Sequence, residues 1–235
     1  MSRKNQAAVI VGASGGIGAA LETALIEEGA FDVVHGFARS RRGAQHLDLL
    51  QEDSIAAAAA HVAQGPPVTM VMVATGLLHL SPRGPEKALR ELDRDWMAEC
   101  YAVNGIGPAL VAKHFLPIMP QSQRTVFAAL SARVGSISDN SLGGWHAYRA
   151  SKAALNMLMR NVAIEVRRRN DRAIVVTLHP GTVDTALSKP FQGNVPAGRL
   201  LDRERAALQL LDVIDELKVS DSGKLLDYEG KEIQF

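Results

Sequence analysis

The sequence predicts one α/β domain over residues 1–235, a doubly wound parallel sheet with helices on both faces. Three observations predict it. Apolar runs and helical patterns alternate from end to end, as strand–helix units do. The strand-like runs are apolar throughout, which suits a parallel sheet covered on both faces. Parallel neighbours also need a crossover connection, and the intervening helical stretches supply one each time.

The first strand is "AAVIVGA" (7–13), followed by helix "IGAALETALIEEG" ended by Gly29. Strand "DVVHGFA" (32–38) and a short piece around "HLDL" lead to the alanine-rich helix "EDSIAAAAAHVA". Strand "VTMVMVAT" (68–75) runs into a Pro/Gly loop and then a single long helix over 92–119. Strand "RTVFAAL" (124–130), a helix opening on "AYRASKAALNMLMR", strand "AIVVTLHP" (173–180) and helix "DRERAALQLLDVIDEL" (202–217) complete the order. The run "EVRRRNDR" reads as a solvated helix end, where cations suit the macrodipole. Repeats, linkers and low-complexity tracts are not evident, so the chain reads as one domain.

Composition narrows the class of partner. The net charge is +1 and charged residues make up 22%, so no long-range field attracts nucleic acid or an anionic membrane. The one cysteine, Cys100, reads as a small buried hydrophobe and fits a reducing cytoplasm. The opening "MSRKNQAAVIVGASGG" is too short an apolar run for a membrane span and continues into a glycine turn unlike a signal peptide. Seven histidines without ligand spacing give no support for a metal site.

Function enters at "VGASGGIG", which places Gly12, Gly16 and Gly18 between the first strand and its helix. Glycines there allow a tight turn, close approach of a pyrophosphate and helix–sheet packing, and the helix N-terminus offers unpaired N–H groups. The pattern is therefore that of a Rossmann-type dinucleotide site. At the tip of the second strand a carboxylate would bind the ribose of NAD, whereas an arginine accommodates the 2′-phosphate of NADP. The strand ends "GFARSRR" with no acid, and Asp32 lies at its other end. The expected cofactor is NADP(H) rather than NAD(H), held mainly by Arg39 with Ser40 or Arg41 assisting.

Tyr148 and Lys152, at i and i+4, share a helix face one turn apart. An ammonium beside a phenol favours the phenolate, which predicts a lowered tyrosine pKa and a useful acid/base.

Taken together, these segments resemble the short-chain dehydrogenase/reductase family over nearly the whole chain. "ATG" (74–76), Asn104 in "AVNGIGPAL", "HPGTVDT" (179–185), Asp48 in "HLDL" and the ending "SGKLLDYEGKEIQF" all match its segments in order. The long gap before the tyrosine, "GSISDNSLGGWHAY", looks closest to the sniffer-type carbonyl reductases and bacterial C-factor-like proteins. The resemblance implies a small carbonyl or alcohol substrate, with Tyr148 exchanging a proton with its oxygen. It implies Lys152 on the nicotinamide ribose and Asn104 holding a water that relays protons. Cofactor contacts are implied for Gly12, Ser14, Gly15, Gly16, Ile17, Gly18, Asp48, Leu49, Ala74, Thr75 and Gly76. Further contacts are implied for Pro180, Gly181, Thr182, Val183 and Thr185 beside the nicotinamide. It also implies pairing through the helices of Asn104 and Tyr148 into a homodimer or homotetramer.

Two departures stand out. Val11 replaces the family's threonine at the end of the first strand. More consequentially, the family's S-S-x-x-G segment reads "SARVG", with Ala132 where the active hydroxyl normally sits. Ser131, at the strand end, is the preferred substitute; Ser136, Ser138 or a water are the alternatives. A rival reading follows, a cofactor-binding regulatory or signalling protein with little turnover. Trp145 and His146 either line a pocket or pack a loop. Met157 and Met159 are expected in the core, and "SKPFQGNVPAGR" (188–199) is expected to form a short lid over an open pocket.

Overall fold

A computed structural model describes residues 3–196 and 198–235. Met1, Ser2 and, within the expected lid, Ala197 lie outside the described residues.

Seven strands form one sheet in the order β2-β1-β3-β4-β5-β8-β9. They are β1 (Arg3–Val11), β2 (Phe31–Phe37), β3 (Val68–Val73), β4 (Thr125–Leu130), β5 (Ala173–His179), β8 (Leu225–Asp227) and β9 (Glu232–Ile233). Every pairing is parallel except the final β8–β9 hairpin. Two-residue strands β6 (Thr182–Val183) and β7 (Leu200–Leu201) pair separately beyond the end of β5.

Strand alternation sends each apolar run to both faces. Ala7, Val9 and Val11 of β1 pack with Phe37, Ile55, Phe115 and Leu155 on one side. Ala8 and Ile10 pack with Leu21, Leu25, Leu210 and Ile214 on the other. The first layer is therefore covered by α2 (Glu52–Val62), α4 (Gly107–Phe115) and α5 (His146–Arg167), the second by α1 (Gly16–Glu28) and α6 (Arg203–Glu216). Gly29 ends α1 in the left-handed region at φ 61°, as a C-cap glycine does.

One element differs from the sequence expectation, while the short piece around "HLDL" takes the form of a 3-10 turn (Gly43–Gln45) followed by a single parallel bridge, Ala38 to His46. The helix over 92–119 is not continuous. It comprises α3 (Arg94–Tyr101), a π-helical turn (Ala102–Ile106), α4 and a 3-10 turn (Leu116–Ile118). Proline explains the break: Pro108 has no N–H to give the carbonyl of Asn104, its i−4 partner, so the α pattern yields there. Asp93 starts α3 by accepting from the Trp96 N–H at 2.8 Å.

Within α5, Met159 is in the core but Met157 is 62% exposed, against the expectation for both. Residues two apart on a helix point to nearly opposite sides, so one core face cannot take both. Cys100 is fully buried, as expected.

Candidate active site

Strands β1 and β3 are neighbours while β2 lies on the other side of β1, so the connections diverge at β1. In open α/β sheets the crevice at the carboxyl ends of such strands is where ligands bind. A cavity of about 640 Å³ opens there, bordered by Val11, Ala38, Ala74, Leu130 and Pro180 at or just past the strand ends.

The glycine turn forms one wall. Gly12 adopts φ 93° and its position for a Cβ is only 3.0 Å from the Ala74 carbonyl oxygen. A Cβ on Gly18 would lie 2.2 Å from the Gly12 carbonyl oxygen, so α1 can start this close to β1 only with glycine. Ser14, Gly15, Gly16 and Ile17 line the cavity, whereas Gly18 is buried beneath the turn. Ala74, Thr75, Gly76, Asp48, Leu49 and Thr185 also line it. The Thr75 hydroxyl is buried and has no hydrogen-bond partner. Gly181, at φ 75°, packs against the Tyr228 ring rather than facing the cavity, and Thr182 and Val183 pair with β7.

Arg39 and Ser40 line the end of the cavity beside β2. Arg41 does not assist them. Its guanidinium donates to Glu22 of α1 at 2.8 Å and to the Gly36 carbonyl at 2.6 Å, an attachment that leaves it turned away.

Tyr148 and Lys152 are both buried and both line the cavity. The ammonium lies 5.8 Å from the centre of the tyrosine ring and donates to the Leu130 carbonyl at 2.8 Å. The electrostatic expectation for this pair is reversed. Burial pushes the Tyr148 pKa up rather than down, with the nearby Cys100 thiol adding to it. Burial also lowers Lys152 to about 7. Desolvation outweighs the mutual attraction, because both charged forms lose water in the same pocket. At neutral pH Tyr148 thus holds its proton.

Asn104 sits behind the cavity wall. Its amide accepts from the Leu77 N–H at 2.7 Å, donates to the Leu77 carbonyl at 2.8 Å and to the Ser151 hydroxyl at 3.0 Å. These bonds pin the loop after β3 to α5. Ser131 lines the cavity, but its hydroxyl donates to the Asn156 side chain at 2.8 Å. A hydroxyl has one proton to give. Ser136 donates to the Gln234 carbonyl near the chain's last strand and contacts Ser138 at 3.2 Å, so that pair is tied to the tail.

Sequence reading missed Glu86. Buried at the foot of α5, its carboxylate accepts from the Ala147 N–H at 3.2 Å and its carbonyl from the Trp145 N–H. A cap contributed from 61 positions upstream carries no local signature. Leu77, Leu78, Leu187 and Glu99 also border the cavity without having been singled out. Among the described residues no cluster of three or more His, Cys, Asp or Glu could hold a metal, and no helix is long and apolar enough to cross a membrane.

A short chain dehydrogenase family model matches residues 6–195. The chain belongs to that family of oxidoreductases. Among curated relatives, the C-signal protein of Myxococcus xanthus is 37% identical over 148 residues, covering 63% of this chain and 84% of that one. Two solved structures share the fold. The NADPH-bound carbonyl reductase from chicken fatty liver has a TM-score of 0.80 at 24% identity, covering 100% and 96% of the two chains. The carbonyl reductase Sniffer of D. melanogaster has a TM-score of 0.79 at 20% identity, covering 99% and 100%.

Proposed function

We propose that this chain is an NADP(H)-dependent reductase of small carbonyl compounds, running to the alcohol or back, with Tyr148 as the acid/base. One observation carries the reading: the glycine cradle and the buried Tyr148–Lys152 pair border a single cavity. The residues fit a dinucleotide. Ser14, Gly15, Gly16 and Ile17 line the cavity where α1 begins, so the N-terminal N–H groups of that helix stand at its wall, and Gly12 and Gly18 let the turn lie this close to β1. Arg39 and Ser40 would hold the 2′-phosphate, Asp48 and Leu49 the adenine. Lys152 would hold the nicotinamide ribose, and Pro180 and Thr185 the nicotinamide end, with Gly181, Thr182 and Val183 shaping the turn behind them. When bound, NADPH supplies the hydride that reaches the carbonyl carbon.

The chain's own part is proton delivery and placement. Tyr148, protonated at neutral pH, gives its proton to the carbonyl oxygen as negative charge develops there. Lys152 in its ammonium form stabilises the phenolate left behind. Asn104 fixes the loop after β3, and its main-chain carbonyl, deprived of an α-helical donor by Pro108, is the acceptor for a relay water. Ser131 holds its turn through Asn156, and the Tyr148 hydroxyl is the donor to the substrate in place of the serine that Ala132 replaces.

NADPH consumption with a panel of aldehydes, ketones and quinones tests this, and Tyr148→Phe should abolish it. A second reading, a cofactor-binding signalling protein, is favoured by Ala132 and by the likeness to C-signal. NADPH binding without consumption of any panel member, unaffected by Tyr148→Phe, would establish it. The buried lone Cys100 fits a cytoplasmic setting. Exposed Ile106, Met157 and Ile164 fit pairing of subunits through the Asn104 and Tyr148 helices, which light scattering would measure.

A further inference from the structure

Three consecutive residues ahead of α5 adopt left-handed backbone: Gly143 at φ 64°, Gly144 at φ 65° and Trp145 at φ 50°. The glycines do this freely, whereas a bulky residue there is strained. Strain of this kind persists only where the surroundings impose it, and it gathers at functional sites. Here Glu86 imposes it, through its carbonyl on the Trp145 N–H and its carboxylate on the Ala147 N–H.

The imposed backbone places the indole. The Trp145 ring lies edge-on to Tyr148, with centroids 6.3 Å apart, and 4.9 Å from Phe191. Phe191 in turn meets His79 at 5.7 Å. Both ends of this stack, Tyr148 and His79, line the cavity, so Trp145 and Phe191 stand in ring contact with two of its lining residues, one of them the acid/base. The segment carrying Phe191 thus meets the residue that opens the catalytic helix. Charge adds a second constraint. Among the described residues, the lysine and arginine residues lining the cavity are Arg39, at the β2 end, and Lys152, whose ammonium is held by the Leu130 carbonyl; Glu99 is an acid on the same lining, as is Asp48 toward the β2 end.

We propose that Trp145 and Phe191 are specificity-determining residues that select a neutral carbonyl compound with a flat aromatic or conjugated face; the proposal rests on the carbonyl-reductase reading of the same cavity. Offset or edge contacts with an aromatic ring reward a flat π-face and do little for a saturated ring of similar size. An anionic substrate would find Glu99 without a free cation to offset it.

Benzaldehyde and cyclohexanecarboxaldehyde compare flat and saturated rings of one size. The readout is the ratio of their kcat/KM values in the wild type, Trp145→Phe, Trp145→Leu and Phe191→Leu, with NADPH as donor. In parallel, saturation-transfer NMR compares benzyl alcohol and cyclohexylmethanol binding to the NADPH-loaded chains, which needs no turnover. The ratio should fall about 2- to 10-fold in each leucine variant and be largely kept by Trp145→Phe. Phe191→Leu guards against misfolding of the Trp145 variants, because its loop lies outside the sheet and main helices. A ratio unchanged in both leucine variants, by turnover and by binding, overturns the proposal while leaving carbonyl reduction intact. Aromatic binding that depends on Trp145 without consumption of either aldehyde supports the aromatic subsite and counts against the reductase reading.

Discussion

The buried lysine makes a quantitative pH prediction. Lys152 is surrounded by protein and its pKa falls to about 7, against 10.5 for an exposed lysine. The sign follows from the role of the ammonium: it is present below pH 7, it favours charge on Tyr148, and it is lost as pH rises. With that pKa the charged fraction drops from about one-half at pH 7 to about one-hundredth at pH 9, a roughly 50-fold change. Tyr148, raised by burial, does not titrate in this window, so a single descending limb belongs to the lysine. The assay is the rate of NADPH consumption with a fixed aldehyde from about pH 5.5 to 9.5, read as kcat/KM for NADPH, which reports the free protein. It should be level below about pH 6 and fall about tenfold per unit above about pH 8. Lys152→Arg keeps its charge throughout, because a guanidinium stays protonated beyond about pH 12, and its profile should lose that limb. A wild-type profile level to about pH 9.5 would refute the reasoning, since it would mean that water reaches the ammonium and burial does not control it.

Three further outcomes are expected. Arg39→Ala should weaken NADPH binding by about 10- to 100-fold, the loss of one or two charge-assisted hydrogen bonds, and leave NADH binding unchanged by calorimetry. Ser131→Ala should leave kcat within about threefold, against the 100-fold or greater loss for a transition-state donor, and should destabilise by about 1–3 kcal/mol through the orphaned Asn156 oxygen. A larger fall in kcat at unchanged fold would restore Ser131 as the polarising hydroxyl. Gly18→Ala puts a methyl 2.2 Å from the Gly12 carbonyl oxygen, a backbone atom that cannot swing aside. Overpacking of this kind costs about 2–3 kcal/mol, so Tm should drop by about 5–10 °C in a thermal melt, with NADPH failing to restore it.

Much of this molecule was legible in one dimension. Uniformly apolar runs such as "VTMVMV" and "TVFAAL" specify parallel strands, because such strands are covered on both faces and need no polar alternation. Gly12, Gly16, Gly18, Tyr148 and Lys152 announce themselves by spacing, since a turn and one helix face are local geometries. The break at Asn104 was also present in the sequence, in Pro108, yet the strong apolar period around it concealed the missing donor. Glu86 could not be found this way, because the N–H groups it satisfies lie 61 residues away in the chain.

The sequence by itself determined the fold class, the dinucleotide turn and which side chains meet at the acid/base, all consequences of short-range periodicity and glycine sterics. Only the tertiary structure decided their state. It buried Tyr148 and Lys152 together, so that desolvation, which depends on everything packed around them, reversed the pKa shift that their pairing alone predicts. It gave the Ser131 proton to Asn156, turned Arg41 to Glu22, and held Trp145 against its backbone preference. Each of these depends on contacts between residues far apart in the chain, which no local pattern encodes.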